Sequence, residues 1–455
     1  MIATSPALFA DIPIAASLGV WSRPSDRPAQ AALVLAVTLF SLALLPQGPR
    51  WLASVIDLSS VADLRRTRRF LMVASLAAAF TSLGYIAFYL RGGPRTAEAS
   101  AYWLQGRALS HGVLAWSIPD PIASFRAPGL GFTAPDRLSG MVGPGYPALL
   151  ALAFLVGAPM LVGPVLAAAI VVATWLLSHE VVADADGVAS AHRAVRAETV
   201  ARLAVGFSIV STALRYHTAN VLPYGAAAAA VTLSLACAFR ARRTEHVRLF
   251  GASGLAIGFL ITSQPASAIA VGVIVAALAV GASQRDVRGG VAAKAKRVGA
   301  IAFGWVLAGS APGVLLLLVA NHAVTGQALV FPIAPKAVAD STSWVSASLA
   351  LSTMQIARAH LMDIANLEPL ALLALLPLGA AGRRRRAAAL TALVVAGHIG
   401  AQMLRPGGAP SGASAFVAVV PLEHVLMAVG VARLFPRALT SGAVGALALA
   451  LAGFA

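Results

Sequence analysis

Glu98 and Tyr102 stand one helical turn apart in the stretch Thr96 to Gly112, TAEASAYWLQGRALSHG. That i, i+4 spacing puts both on one helix face. A carboxylate placed there can act as general base toward a hydroxyl, or ligate a divalent cation. A plainer role is equally open: an acidic residue in a first turn complements the positive end of its own helix. A second set of ionisable groups, Glu423, His424 and His398, falls inside apolar runs. Charges in such runs are costly and mark either function or an interhelical hydrogen bond that fixes packing. His111, His217, His322 and His360 lack the HxxxH or HExxH spacing of a metal site. A Walker or GxGxxG phosphate loop is also missing, which argues against ATP drive or direct use of a nucleotide sugar.

What must position these groups is a series of apolar runs separated by basic clusters. The chain is 59% hydrophobic and only 11% charged, with mean hydropathy +0.82, a balance expected of a membrane protein. Its net charge of +17 comes from clusters at run ends: Arg65 to Arg69, Arg240 to Arg248, Arg285 to Arg297, and Arg383 to Arg386. Juxtamembrane clusters follow the positive-inside rule and suit anionic lipid, so no nucleic-acid partner is expected. A lone cysteine, Cys237, excludes a disulfide framework and a metal–thiolate site. Residues 1–29 carry no basic n-region or clean cleavage site, so no removable signal peptide is expected; whether 5–20 spans is left open.

With about 20 apolar residues needed per span, the chain is expected to be an all-α, polytopic transmembrane bundle of about 12 or 13 spans. Residues 1–69 hold N-terminal spans and a cytoplasmic amphipathic segment; 70–320 form the core, including the external loop 91–159. Residues 321–365 make a second external loop with an amphipathic helix near 346–362, and 366–455 the closing spans. Glycines 251, 254 and 258 recur at helical spacing and predict close helix packing. Parity sharpens the first loop. If 146–158 and 160–178 both crossed, the Arg240 cluster would lie outside. A run of thirteen residues between Pro147 and Pro159 therefore reads as a helix lying on the outer surface.

Glu98-x3-Tyr102, followed by Gly143 to Pro159 (GPGYPALLALAFLVGAP), resembles the first external loop of the GT-C superfamily, polytopic glycosyltransferases related to glycosyltransferase family 39 and ArnT-like enzymes. Leu249 to Ala270 resembles the family's G-L-x-G-L-A-x-L-T-R-P span pair, and Trp305 to Pro332 its exit into the second loop. The likeness covers roughly residues 70–435. It implies a juxtamembrane acidic residue, Glu98, as catalytic base or cation ligand, with Tyr102 and Tyr146 shaping the substrate site. It also implies a polyprenyl-phosphate sugar donor, with membrane lipid around it. Three positions depart from the pattern: Asn220 where many members have Asp, Gln264 in place of the Arg of T-R-P, and Ser414-Ala415-Phe416 before Pro421. Phosphate would then fall to Arg95, Arg107, Arg126, Arg215, Lys336 or Arg405, each of which also suits a snorkelling interfacial role.

The expected activity is sugar transfer from a polyprenyl phosphate to a hydroxyl of a lipid, glycan or protein on the outer face of a bacterial inner membrane. The required cofactor is none, with a divalent cation left open, and the oligomeric state is undetermined. Two alternatives stand beside it: a catalytically inactive GT-C-like assembly partner, and a secondary transporter or lipid flippase coupled through Glu423, His424 and His398.

Overall fold

A computed structural model describes residues 64–117, 130–134, 137–185, 191–281, 292–330, 375–381, 386–403, 413–435 and 443–448, with six positions in 34–41. The protein is an all-α helical membrane protein. Among the described residues, five helices are long and apolar enough to cross a bilayer, six if one bent pair counts as a span, and three shorter apolar helices accompany them. The spans expected at 30–46 and 438–455, and the second loop beyond Val330, lie wholly or largely outside the described residues.

Helix α1 (Leu64–Gly84) begins within the Arg65 to Arg69 cluster, earlier than the expected start at 70, and runs on into a π-helical turn, Tyr85–Tyr89. The first loop follows, with α2 (Ala97–Ser110), strands β1 (Ala115–Ser117), β2 (Leu130–Ala134) and β3 (Arg137–Gly140), and α3 (Gly145–Leu155). Next come α4 (Val162–Ala185), α5 (Ala191–Val210), α6 (Thr212–Ala219), α7 (Tyr224–Thr244), α8 (Leu249–Ser263), α9 (Pro265–Val280) and α10 (Ala292–Thr325). The closing helices are α11 (Leu375–Ala380), α12 (Arg386–Met403) and α13 (Val420–Leu434).

Consecutive spans reverse direction, which their ends record. At one end, the basic end, Glu198 of α5 accepts from Arg202 at 2.7 Å, pairs with His179 of α4 at 3.0 Å and accepts from Thr67 of α1 at 3.4 Å. Arg243 of α7 grips Glu180 of α4 through two bonds of 2.7 and 2.8 Å, and Arg196 donates to the Ala432 carbonyl of α13. At the opposite end, Tyr89 after α1 meets Tyr216 of α6 edge-on at 5.8 Å, and the start of α4 lies against the Thr218 carbonyl at Gly163. Since α1 ends and α4 begins at this same end, everything between them adds no net crossing. The eleven-residue α3, about 16 Å long, is too short to cross alone, so the surface-helix expectation from parity is consistent with the helix ends.

The expected span at 201–216 is broken. Helices α5 and α6 meet at 59° around Ser211, whose hydroxyl caps α6 by accepting from the Leu214 amide. A break frees carbonyls that lipid cannot satisfy. Here the buried Arg215 guanidinium donates to the Ile209 and Val210 carbonyls. The arginine offered as a phosphate ligand is thus engaged in mending its own helix.

Glycine spacing explains the close contact of α8 with α10. A Cβ at Gly254 of α8 would stand 2.2 Å from the Val306 carbonyl of α10, and one at Gly258 would stand 2.7 Å from the Ser310 carbonyl. Reciprocally, Gly309 and Gly313 have no room beside Gly251 and Gly258. Such backbone-to-backbone approach is how small residues drive packing in lipid. Gly254→Ala is expected to destabilise the chain by about 2–3 kcal/mol in thermal unfolding, because backbone must move. Gly251→Ala, which meets only a Trp305 ring edge at 3.2 Å, should be far milder. Equal losses would show that α8 and α10 do not meet this closely.

The three-stranded antiparallel sheet, ordered β1-β3-β2 with Ala115 opposite Ser139 and Leu130 opposite Gly140, was not expected from the sequence. Gln105 of α2 clasps it: its amide nitrogen donates to the Leu114 carbonyl at 2.9 Å, and its amide oxygen accepts from the Gly140 amide at 2.7 Å.

Candidate functional site

Helix α2 starts where the extended Thr96 accepts a hydrogen bond from the Ala99 amide at 3.1 Å. Glu98 follows in the first turn and is exposed. One turn on, Tyr102 is buried against Tyr146 of α3, with ring centroids 5.8 Å apart and edge-to-face. Trp103 meets Phe154 at 4.8 Å, and Gly106 lies against Leu150. Helices α2 and α3 therefore form one aromatic-lined unit, with Glu98 at its rim. Burial pushes the Tyr146 phenol above its usual range, so it stays a neutral donor.

The loop before α3 ties this unit to the bundle. A Cβ at Gly143 would stand 2.2 Å from the Thr262 carbonyl, and one at Gly145 would stand 2.1 Å from the Thr262 hydroxyl. Thr262 lies in the last turn of α8, two residues before Gln264. Gln264 forms the corner between α8 and α9, where its amide donates to the Leu260 carbonyl at 2.7 Å. Its side chain is buried, and its Oε1 has no hydrogen-bond partner among the described residues. A buried acceptor left unpaired costs about 1–3 kcal/mol. That makes the corner a natural receptor for a ligand hydroxyl or amide.

One turn into α9, Ser267 Oγ lies 3.3 Å from His398 Nδ1 of α12, and Gln402 Nε2 lies 3.3 Å from His398 Nε2. Phe416 packs its ring on His398 at 6.3 Å. Sequence reasoning placed His398 near Glu423; α12 and α13 do pack together, and His398 also meets Ser267 and Gln402. Glu423 and His424 are both buried, and His424 Nδ1 lies 3.1 Å from Ser208 Oγ of α5. Neither Ser267 nor Gln402 carries a pattern that would single it out among the many small and polar residues of apolar runs.

The other expected ligands divide. Asn220 is buried, and its Oδ1 accepts from the Val221 amide at 2.9 Å, closing the turn into α7. Beside it, His217 stacks edge-on to Tyr216 at 5.0 Å and Tyr224 at 5.7 Å, with its Nδ1 unpartnered among the described residues. Arg95 turns back and donates from Nε to the Leu90 carbonyl at 2.7 Å. Arg107 is exposed in the last turn of α2, where a cation suits the helix dipole. Arg126, Lys336 and Arg405 lie outside the described residues. Among those described, no three His, Cys, Asp or Glu side chains converge as a metal site would require.

The fold and these sites define a polytopic, all-α membrane protein with a structured loop domain at one end of the bundle. No protein-family model and no curated protein matches the chain.

Proposed function

We propose that this protein is a GT-C-type membrane glycosyltransferase, working on the outer face of a bacterial inner membrane. The observation that carries this reading is the α2–α3 unit. A carboxylate sits at its rim, a tyrosine pair forms its core, and its base is wedged on the Gln264 corner of the bundle. In the reaction, the acceptor hydroxyl would give its proton to Glu98 as its oxygen bonds the sugar anomeric carbon. The bond from that carbon to phosphate oxygen breaks, and polyprenyl phosphate leaves. The developing phosphate charge needs cationic stabilisation, for which Arg126, Lys336 and Arg405 are the proposed partners, with Arg95 and Arg107 beside them. Gln264 Oε1 would accept from a sugar hydroxyl.

The test is to delete the gene and compare envelope glycans and glycolipids by mass spectrometry, then to assay the purified chain in vesicles with polyprenyl-phosphate sugars. One sugar residue missing from a glycan, restored by the wild-type gene and by transfer in vitro, supports the proposal. An unchanged glycan profile together with no transfer leaves the assembly-partner reading in its place. Transport is the second reading, favoured by the buried Glu423 and the His424–Ser208 pair. Its signature would be substrate uptake driven by a pH gradient.

A further inference from the structure

A cavity of about 460 Å³ opens at the basic end of the bundle, between α4, α7 and the start of α8. Its polar wall holds Glu180, Arg240, Thr244 and His246; its apolar wall includes Leu176 and Leu249. The charges are not equivalent. Glu180 is gripped through both oxygens by Arg243, which neutralises it. Arg240 is exposed, and no carboxylate or carbonyl of the described residues pairs with its guanidinium. The cavity therefore presents one uncommitted cation beside a neutralised pair. His246 donates its Nδ1 proton to the Thr244 carbonyl at 3.0 Å, since a carbonyl can only accept, and this leaves Nε2 turned elsewhere.

Above the cation the surface changes character. Leu233, Cys237 and Arg240 recur at helical spacing along α7, with Leu233 exposed and Cys237 half-buried. On α4, Val172 is also exposed and Leu176 half-buried one turn on. Two apolar stripes thus climb from the guanidinium toward the middle of the bundle, forming a groove between adjacent spans. An anionic head with an apolar tail matches this sequence of surfaces; a free ion would use only its lower end. We propose that this groove binds an anionic membrane phospholipid, its phosphate on Arg240 and one acyl chain along Leu233 and Leu176. This is independent of the glycosyltransferase reading, whose site lies at the opposite end.

Cys237 lines the cavity and is the only cysteine in the chain, so the native protein carries its own probe. The full chain is reconstituted in nanodiscs of phosphatidylcholine, alone or with phosphatidylglycerol, and alkylated with uncharged N-ethylmaleimide, the rate being read by intact mass. Phosphatidylglycerol is expected to slow alkylation by about fivefold, following occupancy as 1 + [L]/Kd. Arg240→Gln also removes a charge beside the thiol, so it is read as the ratio of its own rates in the two lipids, which should return to about one. Arg248→Gln removes the same charge from the surface and should keep the protection. Inorganic phosphate added to phosphatidylcholine discs should not protect. Equal rates in both lipids, protection that survives in Arg240→Gln or is lost equally in Arg248→Gln, or protection by inorganic phosphate would overturn the proposal. Should Arg240→Gln misfold, Arg240→Lys is read instead, with partial protection expected and full loss of the lipid effect counting against a phosphate contact.

Discussion

Glu98→Gln is expected to lower sugar transfer by about 10²- to 10⁴-fold, the usual contribution of a positioned general base, while protein abundance stays unchanged. The amide is nearly isosteric with the carboxylate and keeps its hydrogen-bonding reach, but it cannot take a proton. Glu98 is exposed in the first turn of α2, so its replacement by the near-isosteric amide should leave the packed core in place. As a helix-end charge alone it would contribute less than about 1 kcal/mol, and that to stability rather than rate. The two roles therefore separate cleanly. A large fall in turnover with unchanged thermal unfolding assigns Glu98 to the chemistry. Retained turnover in Glu98→Gln removes it from the mechanism and makes the carboxylate a helix cap. Glu98→Asp, which keeps the charge but withdraws it by one methylene, should fall between the two.

The largest expected effect on stability comes from Arg202→Met. Glu198 is only 4% exposed and is held by Arg202 at 2.7 Å, by His179 at 3.0 Å and by Thr67 at 3.4 Å. Arg202 also lies over the Phe70 ring at 5.0 Å, linking α5 to α1. Removing one member of a buried pair strands the other charge, typically at about 3–5 kcal/mol. The variant should unfold at markedly lower temperature in detergent. The double variant Glu198→Leu, Arg202→Met removes both charges together and should recover most of the loss, since an apolar replacement of a whole pair is often neutral. A single variant within about 0.5 kcal/mol of the native chain would mean that Glu198 is solvated or neutral, and that the ion pairs at this end are ornamental.

Much of the architecture was legible because span formation is a local decision. Of the basic clusters, the one at Arg240 to Arg248 supplies Arg243, which grips Glu180; the Glu198, Arg202 and Arg196 contacts at that same end lie outside every cluster read from the sequence. Parity among those clusters singled out 146–158 as a run that does not cross, and α3, with eleven residues, is too short to cross alone. The i, i+4 rule paired Glu98 with Tyr102 on one face, but their environments differ. Tyr102 is buried against α3 while Glu98 remains exposed, because face alone does not say how far a neighbouring helix extends. The small sheet escaped because its strands are three to five residues long and depend on the Gln105 clasp. The Pro135-Asp136 turn pair between Leu130–Ala134 and Arg137–Gly140 was the one available signal.

By itself the sequence determined the membrane class, the positions of most apolar helices, and the glycines of α8 that admit a close neighbour. Each follows from residues within a turn or two of one another, set against a solvent that admits no unpaired backbone. Tertiary structure alone decided that Arg215 mends a broken helix, that Gln264 holds an oxygen unpartnered among the described residues at a corner covered by Gly143, and that Ser267 meets His398 across 131 residues of chain. Those outcomes depend on which helices become neighbours. Hydropathy says that a run enters the bilayer, but lipid solvates every apolar face alike, so partner choice comes from packing and hydrogen bonds that no local pattern encodes.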